Sequence, residues 1–198
     1  SLIKVGVAHA QFETIHPFVD GNGRAGRMLI ALQIHCAKLL ELPVLYLSSY
    51  FKKHQKLYYQ KLQAYHDENS DIESWLEFFL EGVAEIAESS IETCAKITAL
   101  RDRDFASVLK LGKKSAESTL EIIRKLFNQP IVGIAEIMQW TGYSKQGAYN
   151  VIKRLEALKI LEPLGDSSYS QKFIYADYYQ IFDEAYKVRR KKNSLNKS

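Results

Sequence analysis

Twelve consecutive residues near the start of the chain, from His16 to Arg27, read HPFVDGNGRAGR. They bring together one imidazole, one carboxylate, three glycines and two guanidinium groups. Side chains of these types bind anions, bind metal ions and move protons, so the segment could hold a phosphate ester and act on it. The glycines and Pro17 predict a loop, and the residues that follow predict the start of a helix.

The loop from Asp20 to Gly23 lies directly before that predicted helix. Successive backbone N–H groups of a glycine-rich turn at a helix N-terminus form a nest for an anion. Glycine suits such a turn because the backbone needs positive φ and because a phosphate must approach it closely. Arg24 and Arg27 are three residues apart and therefore share a face of the first helical turn. Two guanidinium groups beside a nest predict a polyphosphate ligand better than a single carboxylate.

The two remaining polar side chains flank the nest. Asp20 offers oxygen ligands at its mouth, where a Mg²⁺ ion that bridges phosphates would bind. His16, on the other side, could accept a proton from an incoming hydroxyl near neutral pH. Together these residues predict a site of phosphoryl or nucleotidyl transfer that uses a nucleotide, a metal ion and a base.

Three other interpretations fit the segment less well. A hairpin turn at Asp-Gly-Asn-Gly would need flanking strands, whereas helical patterns flank this segment. In a calcium loop with Gly23 as its sixth residue, the first and twelfth ligands would be Phe18 and Leu29, which cannot coordinate a metal. A Walker phosphate loop would need a Gly-Lys-Ser/Thr sequence, and none follows.

The twelve residues meet every defined position of HPF-x-(D/E)-GNGR-x-x-R, so the segment resembles the signature of the Fic family. The resemblance implies transfer of AMP from Mg-ATP to a Ser, Thr or Tyr hydroxyl of a target protein. It makes His16 the base, Asp20 the Mg²⁺ ligand and Phe18 an apolar anchor beneath the loop. It assigns the phosphates to five residues, namely Gly21, Asn22, Gly23, Arg24 and Arg27.

The resemblance continues in a later segment. Tyr58-Tyr59 followed by Leu62 is similar to a stretch of Fic proteins in which the second tyrosine contacts adenine. Tyr59 is therefore a candidate ligand of the base, and a buried core tyrosine is the alternative. Some Fic proteins place an asparagine against the base seven residues later, but this chain has His66 there. The four histidines other than His16 show no metal-binding spacing.

Apolar spacing predicts four helices in the first part of the chain, over residues 2–14, 24–42, 48–66 and 72–111. The second is predicted to be mostly buried, and the last to be about 60 Å long if it is unbroken. The chain opens on residues typical of the middle of a helix, so we expect it to be a fragment. The substrate-docking flap and the inhibitory helix of Fic proteins would then precede it, and losing them would have opposite effects on activity.

A second unit follows. Residues 118–127, 134–140 and 144–158 predict three helices, and residues 160–164 and 172–176 predict two strands around a turn. Three helices followed by a hairpin are typical of a winged helix-turn-helix domain. A Fic core followed by a winged helix resembles a common bacterial form of Fic protein.

The predicted fold is therefore mainly α, a Fic-type helical bundle followed by a small winged helix-turn-helix domain. The bundle would occupy residues 1–112, the winged helix 113–182 and a disordered basic tail 183–198. The third helix of the winged unit offers side chains that could face DNA: Lys145, Gln146, Tyr149, Asn150, Lys153 and Arg154. Residues 115–176 contain seven basic and six acidic residues, a modest +1. DNA contact and contact with a protein or a second copy, as in a homodimer, both stay open.

Composition limits the other classes. The chain is 46% hydrophobic but has no apolar run of membrane-span length and no signal sequence, which predicts no membrane partner. Cys36 and Cys94 match no metal spacing and are predicted to be buried thiols in a reducing compartment, the cytoplasm. The net charge of +4 (27 minus 23) comes from six cations in residues 187–198, since the rest carries −2 (21 minus 23).

Three functions are consistent with these features. The first is a protein adenylyltransferase with ATP as substrate, Mg²⁺ as cofactor and a target protein as acceptor. The second is a nucleotide-sensing or catalytically idle Fic-type transcriptional regulator that binds DNA through the winged helix. The third is a related reaction that transfers another phosphate-containing group or removes AMP. The intact His16 favours catalysis over sensing.

Overall fold

The computed structural model of this protein describes residues 1–41, 45–66, 71–165 and 171–183. These residues form nine helices and three short strands, which confirms the prediction of a mainly α fold. The chain divides into two compact units, Ser1–Glu92 and Thr93–Ser198, and this division falls inside a long helix. The assignment of the functional domains stays a prediction.

The described residues of the first unit form four helices and the beginning of a fifth. They are α1 (Leu2–Ile15), α2 (Asn22–Cys36), α3 (Leu47–Lys53), α4 (Gln55–His66) and α5 (Ile72–Leu109). The single helix predicted over residues 48–66 is interrupted at His54, where φ is −110° and ψ is 35°, and so forms two helices. α5 has 38 residues and is about 57 Å long at 1.5 Å per residue, close to its predicted length.

Aromatic side chains form much of the core of the first unit. Trp75 is fully buried, and its Nε1–H donates to the Gly6 carbonyl at 2.9 Å. A Cβ on Gly6 would lie 2.9 Å from the Phe79 ring, so glycine is what allows α1 to approach α5 this closely. This packing fixes α1, whose last turn leads into the loop from His16 to Gly21.

Helix α2 is less buried than its composition predicts. Its buried residues recur every four positions and are Asn22, Gly26, Ile30 and Ile34. Met28, by contrast, is 73% exposed, and Leu32 is exposed as well. The prediction of a mostly buried helix was wrong because the apolar residues of α2 occupy more than one face, and only one face packs into the core.

The second unit adds further elements after α5. They are α6 (Lys113–Leu126), β1 (Ile131–Gly133), α7 (Ile134–Thr141), α8 (Lys145–Ala157), β2 (Glu162–Leu164), β3 (Lys172–Ile174) and α9 (Ala176–Phe182). The strands form an antiparallel sheet of order β1-β3-β2, in which Ile174 pairs with Ile131 on one side and Glu162 on the other. The predicted helices and hairpin strands occur in the predicted order, and the winged-helix assignment itself stays a prediction.

Two further expectations need correction. The strand predicted to reach residue 176 ends at Ile174, because the chain turns at Tyr175 into α9, which the sequence analysis missed. Both Cys36 and Cys94 are exposed, so the prediction of buried thiols was wrong. The hairpin turn from residue 166 onward and the predicted tail from residue 184 onward lie outside the described residues. Among the helices that are described, none is both long enough and apolar enough to span a membrane.

Candidate active site

The loop between α1 and α2 holds His16 in a conformation that costs a non-glycine residue about 1–2 kcal/mol. His16 follows α1 with φ 47° and ψ 56°, in the left-handed region, and its backbone N–H donates to the Phe12 carbonyl at 3.1 Å. The exposed imidazole places Nδ1 3.3 Å from the Glu13 carbonyl oxygen. Because a carbonyl only accepts, this contact is made by a proton on Nδ1, and in the neutral imidazole the lone pair that a general base needs then lies on Nε2.

Asn22, the first residue of α2, fixes this loop from inside. Its buried side chain accepts the Phe18 N–H at 2.9 Å through Oδ1 and donates to the Phe18 carbonyl at 2.5 Å through Nδ2. The resemblance to Fic proteins implied that Phe18 anchors the loop, but the Phe18 side chain is 54% exposed. That expectation was wrong, and the anchor is the amide of Asn22, which leaves the Asn22 backbone N–H for an anion.

Gly21 turns the chain into α2. Its φ of 84° is in the left-handed region that favours glycine, and its N–H donates to Asp20 Oδ1 at 2.7 Å. The Gly21 carbonyl accepts the first helical hydrogen bond, so the N–H groups of Asn22, Gly23 and Arg24 have no carbonyl partner within the helix. Among the described residues, no side chain caps them either. The sequence assigned the phosphates to the backbone of Gly21, Asn22 and Gly23; the N–H groups of Asn22 and Gly23 fit that assignment, whereas the Gly21 N–H donates to Asp20.

Arg24 and Arg27 lie one turn apart on α2. Arg24 is 3.5 Å from Asp20, and since both side chains are largely exposed, this ion pair contributes little to stability. Arg27 is half-buried, and its Nη1 lies 3.0 Å from the point that a Cβ on Gly23 would occupy. Glycine at that position therefore leaves room for the guanidinium against the first turn of the helix.

Both arginines line a cavity of about 810 Å³, a volume typical of ligand sites. Aromatic and polar side chains share the lining, among them Tyr46, Ser48, Ser49, Lys52, Gln55, Tyr58 and Tyr59. Tyr59 is 59% exposed while its neighbour Tyr58 is buried, so Tyr59 is not a core tyrosine and is free to contact a ligand. His16 and Asp20 do not line this cavity.

The part of the lining around α3 was not predicted from the sequence. Tyr46, Lys52 and Gln55 belong to no motif, and they become neighbours of Arg27 only through folding. The exposure of an aromatic residue such as Tyr46 cannot be read from its type. His66, which stands where some Fic proteins have an asparagine, is not part of the lining, and its Nε2 is 3.1 Å from the Thr14 hydroxyl.

Asp20 is the residue that fits a magnesium ion. Among the described residues, no three His, Cys, Asp or Glu side chains come together as a metal site. A Mg²⁺ ion that binds with a nucleotide needs only one or two carboxylates, because phosphates and water fill its other positions. The Asp20 carboxylate meets this requirement, since it is almost fully exposed and adjoins the uncapped start of α2.

A buried polar cluster lies beside the loop residues. His9 is 1% exposed, its Nε2 is 3.0 Å from the Tyr58 hydroxyl, and burial lowers the pKa of His9 to about 4. Burial raises the pKa of Tyr58, an effect that the nearby Arg27 opposes. Burial also raises the pKa of Glu13, and the charges of Arg27 and His16 oppose that rise. At pH 7, His9 is therefore neutral and Tyr58 keeps its proton.

Residues 1–34 of this chain match the family model described as the Fic/DOC family. The matched segment contains α1, the loop and most of α2, and so includes every loop residue described above. It does not include Tyr59 or the other cavity residues of α3 and α4. The match falls on the residues that carry the site geometry and supports a Fic family protein.

Proposed function

We propose that this protein is an adenylyltransferase that moves AMP from Mg-ATP to a Ser, Thr or Tyr hydroxyl of a target protein. The Fic/DOC match suggests AMP transfer or a related transfer reaction. One combination supports the finer statement: the loop that holds His16 leads directly into the start of α2, where three N–H groups have no partner within the helix and two arginines follow.

In the proposed reaction, the target oxygen attacks the α-phosphorus of ATP and His16 Nε2 takes its proton. A bond forms between the α-phosphorus and the target oxygen, the bond to the β-phosphate oxygen breaks, and pyrophosphate leaves. The N–H groups of the loop, with Arg24 and Arg27, would stabilise the negative charge that develops on the phosphates. Mg²⁺ held by Asp20 and the phosphates would supply further charge neutralisation. Tyr59 would contact the adenine.

The proposal is tested with two differently labelled nucleotides. Full-length protein is incubated with lysate and with ATP that carries its label at either the α- or the γ-phosphate. AMP transfer predicts that only the α-label becomes attached to a target protein, and mass spectrometry then locates AMP on a hydroxyl residue. Attachment of the γ-label alone would contradict the proposal and would indicate phosphate transfer.

Two variants separate chemistry from binding. His16→Ala should abolish transfer and leave the affinity for Mg-ATP within about twofold of wild type, because a base acts in the chemical step. Arg27→Ala should weaken Mg-ATP binding by about tenfold in calorimetry, because it removes a charged phosphate contact. His35→Ala, an exposed histidine of α2 outside the loop, is the matched control and should change neither quantity. Full transfer by His16→Ala would remove this histidine from the mechanism.

A second function, DNA binding in a nucleotide-responsive regulator, is favoured by one face of α8. Five of the six side chains predicted to face DNA are exposed: Lys145, Gln146, Tyr149, Asn150 and Lys153. The sixth, Arg154, is half-buried and donates to the Thr119 hydroxyl at 3.3 Å, so it does not belong to this face. Lys153 pairs with Glu156 at 2.9 Å, which reduces the charge that α8 offers to phosphates.

DNA binding measured across a salt series tests this second function. Sequence-specific binding with a steep loss of affinity at high salt, reduced in Lys145→Ala, would support it. A shallow salt dependence would count against it, and a dimer that Tyr149→Ala dissociates in sedimentation would assign the face to a second copy. For either function we propose the cytoplasm as the location, because ATP is available there.

A further inference from the structure

The buried cluster of His9, Tyr58 and Glu13 has no role in the reaction described above, and it contains polar atoms that are costly to bury. The His9 ring stacks on Phe51 and Trp75, with centroid distances of 5.7 and 5.9 Å. Its Nε2 is 3.0 Å from the Tyr58 hydroxyl, on a helix 49 residues further along the chain. Apolar residues would fill this part of the core without the cost of burying polar groups. The presence of polar side chains here therefore indicates a role other than packing.

The direction of the hydrogen bonds follows from counting protons. Arg27 and Tyr58 line the same cavity, the Arg27 side chain opposes the rise in the Tyr58 pKa, and an arginine side chain can only donate. If Arg27 donates to the Tyr58 oxygen, the single proton of Tyr58 is available for His9 Nε2. His9, which is neutral, then carries its own proton on Nδ1. The arrangement runs from Arg27 through Tyr58 to His9, and each group in it is a donor to the next.

At the His9 end of this arrangement, an acceptor without a hydrogen-bond partner lies nearby. His9 Nδ1 and Glu13 Oε1 are both buried without a hydrogen-bond partner. Both lie around the Cα of Gly26, since a Cβ there would be 3.2 Å from His9 Nδ1 and 2.5 Å from Glu13 Oε1. A donor and an acceptor thus face the same small space, which stays open because residue 26 has no side chain.

We propose that Tyr58 and His9, with Glu13 as the final acceptor, are positioning residues that hold the Arg27 guanidinium at the glycine loop. Arg27 would then meet the phosphates in one preset orientation and lose little side-chain freedom on binding. The inference rests on the proposed function only in taking ATP as the ligand of Arg27. We call this series of donors and acceptors, from Arg27 through Tyr58 and His9 to Glu13, the relay. Its hydrogen-bond directions do not depend on which ligand Arg27 binds.

The main test measures Mg-ATP affinity by calorimetry in a double-mutant cycle. Tyr58→Phe removes the hydroxyl and keeps the ring, so it should weaken binding by about fivefold while Arg27 is present. In an Arg27→Ala background the same change should alter affinity by less than about twofold. Tyr65→Phe is the matched control, because Tyr65 is a buried tyrosine of α4 whose hydroxyl also bonds to α1, at Gln11, and it does not line the cavity. It should match Tyr58→Phe in lost stability and leave ATP affinity unchanged.

The outcomes distinguish the two proposals. If Arg27→Ala weakens binding and Tyr58→Phe does not, the relay is wrong and the proposed function stands. If Tyr58→Phe weakens binding equally with and without Arg27, the relay is also wrong. If the wild-type protein does not bind Mg-ATP, the proposed function fails, and the relay is judged by nitrogen NMR of His9. A proton on Nδ1 supports the relay and a proton on Nε2 overturns it.

Discussion

Two corners of this protein, the α1–α2 connection and the α7–α8 connection, each contain a glycine with positive φ. They differ in whether the start of the second helix is capped by a side chain. Gly21 has a φ of 84° at the start of α2, and Gly142 has a φ of 70° at the end of α7. At the later corner, the Ser144 side chain accepts the Gly147 N–H at 3.3 Å and caps α8. At the earlier corner no side chain from the part of the chain that the structure describes caps α2. The same backbone conformation is thus followed by a closed helix start in one place and by an open one, suited to an anion, in the other.

The residues buried by the two helices differ in a related way. The buried residues of α8 are apolar, namely Ala148, Val151, Ile152 and Leu155, although Oε2 of its Glu156 is a buried atom as well. α2 buries the amide of Asn22, and its Gly26 adjoins the buried imidazole of His9. Buried polar groups lower stability unless they are well paired. The buried polar groups of the earlier corner therefore make it less stable but hold its loop and helix start in place, whereas the later corner has an apolar core. This contrast can be tested by measuring each corner separately.

The largest effect should be the pH dependence of stability in the first unit. The folded pKa of His9 is about 4 against an unfolded value of 6.5, so between these values the unfolded chain binds a proton that the folded chain does not. Stability from this source is complete above pH 6.5 and falls by about 3 kcal/mol as the pH drops to 4. Urea unfolding followed by the fluorescence of Trp75, in a Trp140→Phe background, measures it.

Two controls sharpen this measurement. His9→Gln should remove the loss between pH 6.5 and 4, whereas His35→Gln, on an exposed residue of α2, should leave it unchanged. In the second unit, a hydrogen bond from Lys172 lowers the pKa of Glu136 below its usual 4.5, so its contribution is lost only as the pH falls through that lowered value. If the free energy of unfolding fell equally in both units between pH 6.5 and 5, the expected difference between the two corners would be wrong.

The next largest effect should come from the amide that fixes the loop. Asn22→Ala removes both hydrogen bonds to the Phe18 backbone, which should lower the free energy of unfolding by about 2 kcal/mol and weaken Mg-ATP binding. Asn150→Ala is the matched control, because its amide is exposed and bonds only to Gln146 among the described contacts, so the expected change is below about 0.5 kcal/mol. Wild-type ATP affinity in Asn22→Ala would show that the loop does not need this anchor.

The loop could be predicted from the sequence because its chemistry is contiguous. Twelve neighbouring residues contain the turn, the charges and the base, and a helix start follows from glycine and proline without knowledge of the rest of the fold. The structure places Gly21 at positive φ and leaves the next N–H groups unpaired, as the nest interpretation requires. The same local reasoning misjudged Phe18, because whether an aromatic ring is buried depends on what the rest of the chain brings to it.

The partners of the loop could not be predicted, because they are distant in sequence. His9 and Tyr58 meet only when α1 packs against α4, and no spacing rule joins residues that are 49 positions apart. Tyr46 lines the cavity with the arginines of α2, but its segment has no motif. The faces of α2 were misjudged for a similar reason, since apolar residues lie on several sides and only tertiary packing selects one.

A smaller effect should come from replacing the two glycines with positive φ, which are expected to affect stability equally and Mg-ATP affinity differently. Gly21→Ala and Gly142→Ala each force a side chain into the left-handed region and should each cost about 1 kcal/mol of stability. Neither change causes crowding, since the nearest atom to the new Cβ is at 3.5 Å for Gly21 and beyond 4 Å for Gly142. Only Gly21→Ala should weaken Mg-ATP binding, by about threefold or more, because it distorts the first turn of α2. Equal affinities in the two variants would remove the nest from the site.

The smallest effect should come from the cap of the later corner. Ser144→Ala removes the acceptor of the Gly147 N–H, and because that bond is long at 3.3 Å, the cost should be about 0.5–1 kcal/mol. Ser144→Gly should cost only a few tenths of a kcal/mol, since glycine leaves the N–H open to water. Trp140 fluorescence during urea unfolding reports both values, and calorimetry should show unchanged Mg-ATP affinity in both variants. A loss of ATP affinity in Ser144→Ala would mean that the two corners are energetically coupled, and the open start of α2 could then not be treated as a site that the first unit builds alone.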